Sequence, residues 1–186
     1  MLALGRALYE DHRVAEALVA YRRAVEIVPR SAAAWFHLGI AHRALTQVPE
    51  ARCAFTKALA LDPQNAETLY NLGMVELAAA NRAAAEQWFR KTLSAADSHA
   101  AAHYELGRSL IGHGQLEQGL EQIDVSIRLQ TRNPQAHYQR GMALGRLGRG
   151  EEAEAALREF QELERQEREQ RRVIEKKVLV PIPERP

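Results

Sequence analysis

Five glycines, Gly5, Gly39, Gly73, Gly107 and Gly141, stand at a fixed interval of 34 residues. Their neighbours repeat with them. Leucine precedes four of the five (Leu4, Leu38, Leu72, Leu106), and alanine follows four of them twelve residues later (Ala17, Ala51, Ala85, Ala153). A period of this length leaves room for two short helices and two turns. One such hairpin cannot bury its apolar face alone, so the chain must stack its hairpins into a solenoid. No strand-like alternation persists anywhere, and the expected class is all-α.

The spacing has a packing logic. In each period a first helix, A, carries the glycine, and a second helix, B, carries the alanine. Gly39 and its equivalents let helix A approach helix B with no side chain between them, while Tyr21, Phe55 and Phe89 fill the space beside the small residues. Pro29 and Pro63 close their B helices, because proline cannot continue the hydrogen-bond ladder and restrains the residue before it. The 46% apolar content with only 6% aromatics suits close helix packing.

The second period carries Trp35, Leu38, Gly39, Ala51, Phe55, Ala58 and Pro63. These offsets match the W-x2-L-G…A-x3-F…P frame, and over residues 1–160 the chain resembles the tetratricopeptide repeat (TPR) family. The first period supplies Leu4, Gly5, Ala17, Tyr21, Ala24 and Pro29, and the third Leu72, Gly73, Ala85 and Phe89. The fourth departs, with Gly119, Ile123 and Ser126 where the frame prefers Ala, an aromatic and Ala; the fifth keeps Gly141, Ala153 and Leu157. The resemblance implies a right-handed α-solenoid of five repeats over 1–163 (1–31, 32–65, 66–99, 100–133 and 134–163).

The remainder reads as a polar helical extension over 164–177 and a Pro-rich extended tail over 178–186. The last B helix shows an apolar stripe, Ala153, Ala156, Leu157, Phe160 and Leu163, before turning polar on every side. Glu164 with Arg168 and Glu167 with Arg171 are i,i+4 pairs that support an exposed helix. In the tail, Leu179, Val180 and Ile182 alternate with prolines, which suits either a free end or a strap docked on a groove, its own or a neighbour's. Self-association through that strap follows from the second reading. At the other end, Met1 falls where the first A helix should already have begun: either that helix is short or the chain is a piece of a longer protein. One junction is expected to be irregular: Pro134 lies seven residues before Gly141, whereas Pro63 lies ten before Gly73. Proline there opens an A helix, and the fourth B helix should run to about Gln130.

Composition excludes several roles. The 25 basic and 24 acidic residues are interspersed, so no phosphate-tracking surface for nucleic acid is expected. No apolar run is long enough to span a bilayer and no signal peptide precedes the repeats, so membrane insertion is not expected and the expected location is cytoplasmic. Cys53, alone, cannot form an intrachain disulfide. No cofactor or metal is expected: His99 and His103 are four apart but lack an acidic or cysteine partner, and His103 and His137 occupy the packing slot of Trp35. Gly145-x2-Gly148-x-Gly150 lies at an A-to-B turn rather than after a strand, so it reads as a helix stop and not a phosphate loop. No nucleophile elbow or Cys-His-Asn set is present.

In the family the A helices line the concave surface. The resemblance therefore places Phe36, Tyr70, Tyr104 and Tyr138 at one equivalent position on that surface, with His37 and Asn71 directly after two of them, and Arg43, Arg108 and Arg146 nearby. Aromatic rings, amides and guanidinium groups together suit an extended peptide. One binding mode of the family, a lysine-asparagine clamp for the terminal carboxylate of chaperone tails, is not reproduced: the corresponding positions hold Leu2, Arg6, His37, Glu67 and Asn71. Two function classes result. One is a non-catalytic scaffold or adaptor that binds a protein or peptide segment in the groove. The other is a regulatory or substrate-recognition domain of a larger enzyme of glycosyltransferase or sulfotransferase type.

Overall fold

The computed structural model describes residues 1–178, and its described residues form ten helices and no strand. Five A helices, α1 (Leu2–Glu10), α3 (Ala32–Ala44), α5 (Ala66–Ala78), α7 (Ala100–Gly112) and α9 (Pro134–Arg146), alternate with five B helices. The latter are α2 (Val14–Ile27), α4 (Val48–Leu61), α6 (Arg82–Ala95), α8 (Leu116–Leu129) and α10 (Gly150–Val178). The chain divides into two compact units, Met1–Leu106 and Gly107–Pro186.

Every A-to-B turn uses the same device. The middle residue of each three-residue turn is left-handed: His12, Thr46, Ala80, Gly114 and Gly148, again one per 34 residues, with φ between 56° and 80°. The next amide then donates back to a carbonyl five residues earlier, as in Gln47 N to His42 O (2.9 Å) and Arg149 N to Leu144 O (3.0 Å). This closing bond satisfies a carbonyl that the helix end would otherwise leave bare. Gly148 is thus a helix stop, as its place in the repeat requires. Glycine fills the left-handed position in two turns; Thr46, β-branched, holds it against steric preference.

Four of the five A helices, all but α1, begin on a second periodic device. Ser31, Asn65, His99 and Asn133 occupy one register, and each side chain accepts from the amide three residues on (Ala34, Thr68, Ala102 and Ala136, at 2.9–3.2 Å). Serine and asparagine are ordinary N-caps; His99 does the same work through Nδ1.

The glycine-aromatic interlock is as the spacing predicts. A Cβ built on Gly39 would lie 2.7 Å from the ring of Phe55, and one on Gly73 would lie 2.5 Å from that of Phe89. Phe55, Phe89 and Tyr21 are fully buried. The fourth repeat solves the same problem differently. A Cβ on Gly107 would meet Gly119 O at 2.9 Å, and one on Gly119 would meet Gly107 O at the same distance. Two glycines face each other there, so α7 and α8 touch backbone to backbone, and the smaller Ile123 suffices in place of an aromatic.

Two expectations need correction. The junction before Pro134 keeps the regular four-residue length: α8 ends at Leu129 and α9 starts at Pro134, as α4 ends at Leu61 and α5 starts at Ala66. Pro134 does open its helix, because the first-turn amide it lacks has no partner in any case. The register does not shift, because Asn133 caps as Asn65 does. At the other end α10 continues through Val178, one residue into the stretch read as tail. The rest of the proposed tail, 179–186, lies outside the described residues. Within the second unit α10 pairs with α9, and its Gln166 accepts from Arg132 Nη2 in the link before α9. At about 1.5 Å per residue, the turns beyond Gln166 extend roughly 18 Å past that contact. Glu167 with Arg171 is ion-paired at 3.8 Å, and the same helix carries a tighter pair, Glu162 with Arg165 at 2.9 Å.

Candidate functional site

In the first unit three A helices bring an aromatic to one equivalent position. Phe36, Tyr70 and Tyr104 are each partly buried. Phe36 packs against Phe55 at 5.8 Å between ring centroids and edge-on to His37; Tyr70 packs against Phe89 at 5.8 Å and His99 at 4.8 Å. Phe36 and Tyr70 are therefore braced by core aromatics while each stays partly exposed. Such anchoring reduces the side-chain entropy lost when a partner binds.

The residues that follow the aromatics are drawn inward. His37 stacks on Tyr21 at 5.4 Å and 16°. Its pKa lies below the ordinary histidine value, because burial disfavours the imidazolium and the positive charge of Arg6 adds to that. Burial likewise raises the Tyr21 phenol, an effect that Arg6 partly offsets. Asn71 is buried, and its Nδ2 donates to Glu67 O at 2.8 Å. It is an element of helix packing as much as of a surface. Arg43 is partly buried on the same stripe of α3 as Phe36, and its Nε, itself buried, has no acceptor among the described residues.

The second unit contributes Arg108, Tyr138 and Arg146 from the sequence reading. Arg108 is exposed on α7. Tyr138 is exposed and packs on Phe160 of α10 at 5.4 Å. Arg146 has a structural duty: its Nη1 donates to Ile111 O at 2.9 Å and so caps the end of α7. That carbonyl competes with any ligand for the guanidinium.

The histidines are structural in a way that their spacing alone did not reveal. Trp35 Nε1 donates to Pro29 O at 2.8 Å; His103 Nε2 lies 2.8 Å from Asp97 O, and His137 Nε2 lies 3.4 Å from Thr131 O. Each bond spans six residues and ties an A helix to the loop before it. Indole and imidazole are interchangeable here because both offer a ring N–H at similar reach. His99 uses Nδ1 as a cap, and its Nε2 lies 3.4 Å from Glu67 Oε1. His99 and His103 therefore point their nitrogens at different protein partners. No group of three or more His, Cys, Asp or Glu among the described residues is placed to hold a metal. Cys53 is an exposed free thiol. No helix among the described residues is long and apolar enough to cross a membrane.

Stacked A-B hairpins locked by a glycine-aromatic interlock define a helical-repeat protein. The tetratricopeptide repeat model matches residues 2–66, 39–101 and 104–167, and the chain belongs to that family. No curated protein matches it in sequence. Solved structures share the fold. MamA from Desulfovibrio magneticus RS-1 superposes with a TM-score of 0.76 at 24% identity, covering 88% of this chain and 93% of that one. PilF of Pseudomonas aeruginosa gives 0.79 at 23%, covering 87% and 73%. YrrB, described as a TPR protein with an unusual peptide-binding site, gives 0.69 at 21%, covering 87% and 84%.

Proposed function

We propose that the chain is a non-catalytic interaction scaffold of the cytoplasm that holds an extended protein or peptide segment along its A helices. The observation that carries this reading is the repetition of a half-buried aromatic, Phe36, Tyr70 and Tyr104, at one position of successive A helices in the first unit. Core residues need no exposed edge, and these rings keep one. Arg43, partly exposed on the same stripe as Phe36, offers its guanidinium group toward a carboxylate or main-chain carbonyl. Membership of the TPR family and the peptide-binding site described for YrrB support the same class of ligand. Arg108 and Tyr138 are the contacts proposed for the second unit, while Asn71 and Arg146 act through the helices they brace.

The test is capture of partner from a lysate by the intact chain and by the double variant Tyr70→Ala/Tyr104→Ala, with helix content followed by circular dichroism. Loss of bound partner with unchanged helicity is expected. Undiminished capture by the double variant would move the contact surface off the A helices.

A further inference from the structure

One slot of the repeat is filled in the first unit and open in the second. In the second hairpin Trp35 packs in one cluster with Val25 of α2, Leu38 of α3 and Ala54 of α4. Lys57 Nζ lies over its ring, 4.2 Å from the centroid. In the third hairpin the indole comes from the B helix instead. Trp88 belongs to the cluster of Leu59 and Leu72, and Lys91, at the position of Lys57, lies 4.2 Å over its ring. Each slot thus holds one indole with one cation above it, an arrangement that the ring quadrupole favours.

The fifth hairpin keeps the slot and lacks the filling. The positions of Val25, Trp35, Leu38, Ala54 and Lys57 hold Ile127, His137, Arg140, Ala156 and Glu159, and the position of Trp88 is Ala156 again. Imidazole is smaller than indole, and alanine leaves the other indole's place empty. A depression of about 320 Å3 results between α8, α9 and α10, two consecutive hairpins of the second unit. Its walls suit an aromatic ring. Ile127 and Ala156 supply an apolar side. Arg140 is held by Asp124 at 2.7 Å, which fixes its guanidinium as a plane in the wall, and such planes stack on aromatic faces. Arg128 and Glu159 are exposed at the border, and neither has an ion-pair partner among the described residues. Arg128 offers the cation that Lys57 and Lys91 offer elsewhere, and the Glu159 carboxylate can accept from an indole N–H.

We propose that this slot binds a tryptophan side chain of a partner polypeptide, which completes in trans the filling that Trp35 with Lys57 and Trp88 with Lys91 supply within the chain. The occupant is named by the protein's own repeat: the same positions, where they are filled, are filled by indole under a cation. Neither Tyr138 nor any of Phe36, Tyr70 and Tyr104 lines the slot, so this contact is separate from the one proposed along the A helices.

The experiment titrates the isotope-labelled full chain with N-acetyltryptophanamide and follows its backbone amides by NMR. Shifts should concentrate in residues 127–128, 137–140 and 155–159. They should saturate with a dissociation constant of about 1 mM, as suits a ligand of so few atoms. N-acetylphenylalaninamide, without the ring N–H, should bind about threefold more weakly. Arg128→Ala, at an exposed position, should weaken the tryptophan derivative about two- to fivefold. The double variant His137→Trp/Glu159→Lys rebuilds the filling of the second hairpin; it should melt no lower than the parent and give no saturable shift. Free tryptophan is the counter-probe: tighter binding of the amino acid than of its blocked form would assign the slot to a small molecule and overturn the proposal. So would a parent chain with no saturable shift, shifts centred elsewhere, equal binding by the Arg128→Ala chain, or undiminished binding by the double variant.

Discussion

Replacing Gly73 by alanine tests the interlock on which the fold rests. In isolation Gly→Ala inside a helix is favourable by about 1 kcal/mol, because alanine has less backbone freedom to lose. At Gly73 the new methyl would sit 2.5 Å from Phe89 Cε1, 2.8 Å from Cδ1 and 3.0 Å from Cζ. Ordinary carbon contacts begin near 3.5 Å. Phe89 is 1% exposed and bears on Tyr70, so its ring cannot swing aside without moving a second ring. Overpacking of a tight core costs about 1–3 kcal/mol. We place Gly73→Ala toward the upper part of that range, so that about 1–2 kcal/mol of net loss remains after the propensity gain. Gly145 provides the control. It lies inside α9, and the nearest atom to an added methyl is Ala153 Cβ at 4.0 Å. Gly145→Ala should therefore stabilise the protein by about 0.5–1 kcal/mol. For a chain of this size each kcal/mol moves Tm by about 2–4 °C. Calorimetry should show the two variants displaced in opposite directions by the same chemical change. A Gly73→Ala protein that melts at or above the parent temperature would refute the interlock.

Other consequences are measurable. Thr46 and Ala80 hold the left-handed turn position at φ near 56° and 59°; Thr46→Gly should stabilise by about 1 kcal/mol, read by urea denaturation, although Thr46 Oγ1 gives up its bond to Leu45 O. His37 has a lowered pKa in the folded chain, so the unfolded state takes up the proton first. Stability is full above the ordinary histidine range and falls as pH drops through it toward the folded value. His37→Gln should flatten the stability profile between about pH 7 and pH 5, and an unchanged profile would show that the ring is not the source. His103→Leu should cost only about 0.5–1.5 kcal/mol, because the third repeat already carries Leu69 in that slot, buried and without a bond to the loop; thermal melts would register a much larger loss if the imidazole did more.

The sequence by itself determined the repeat. A glycine every 34 residues, with its alanine and aromatic partners, is a local and periodic signal, because each hairpin packs by the same contacts as the next. Pro134 as a helix opener was legible for the same reason, since a proline's missing amide is a property of one residue. The irregularity that the sequence suggested at that junction is absent, because register there is set by Asn133 capping its helix and not by the proline. Nor did it separate residues that touch a ligand from residues that brace a helix. Asn71 and Arg146 have binding chemistry, yet Asn71 is buried against its own helix backbone and Arg146 reaches a carbonyl 35 positions earlier. His99 as a cap, and the imidazole N–H standing in for an indole, depend on where a ring nitrogen falls relative to a backbone group. Only the tertiary structure decides that.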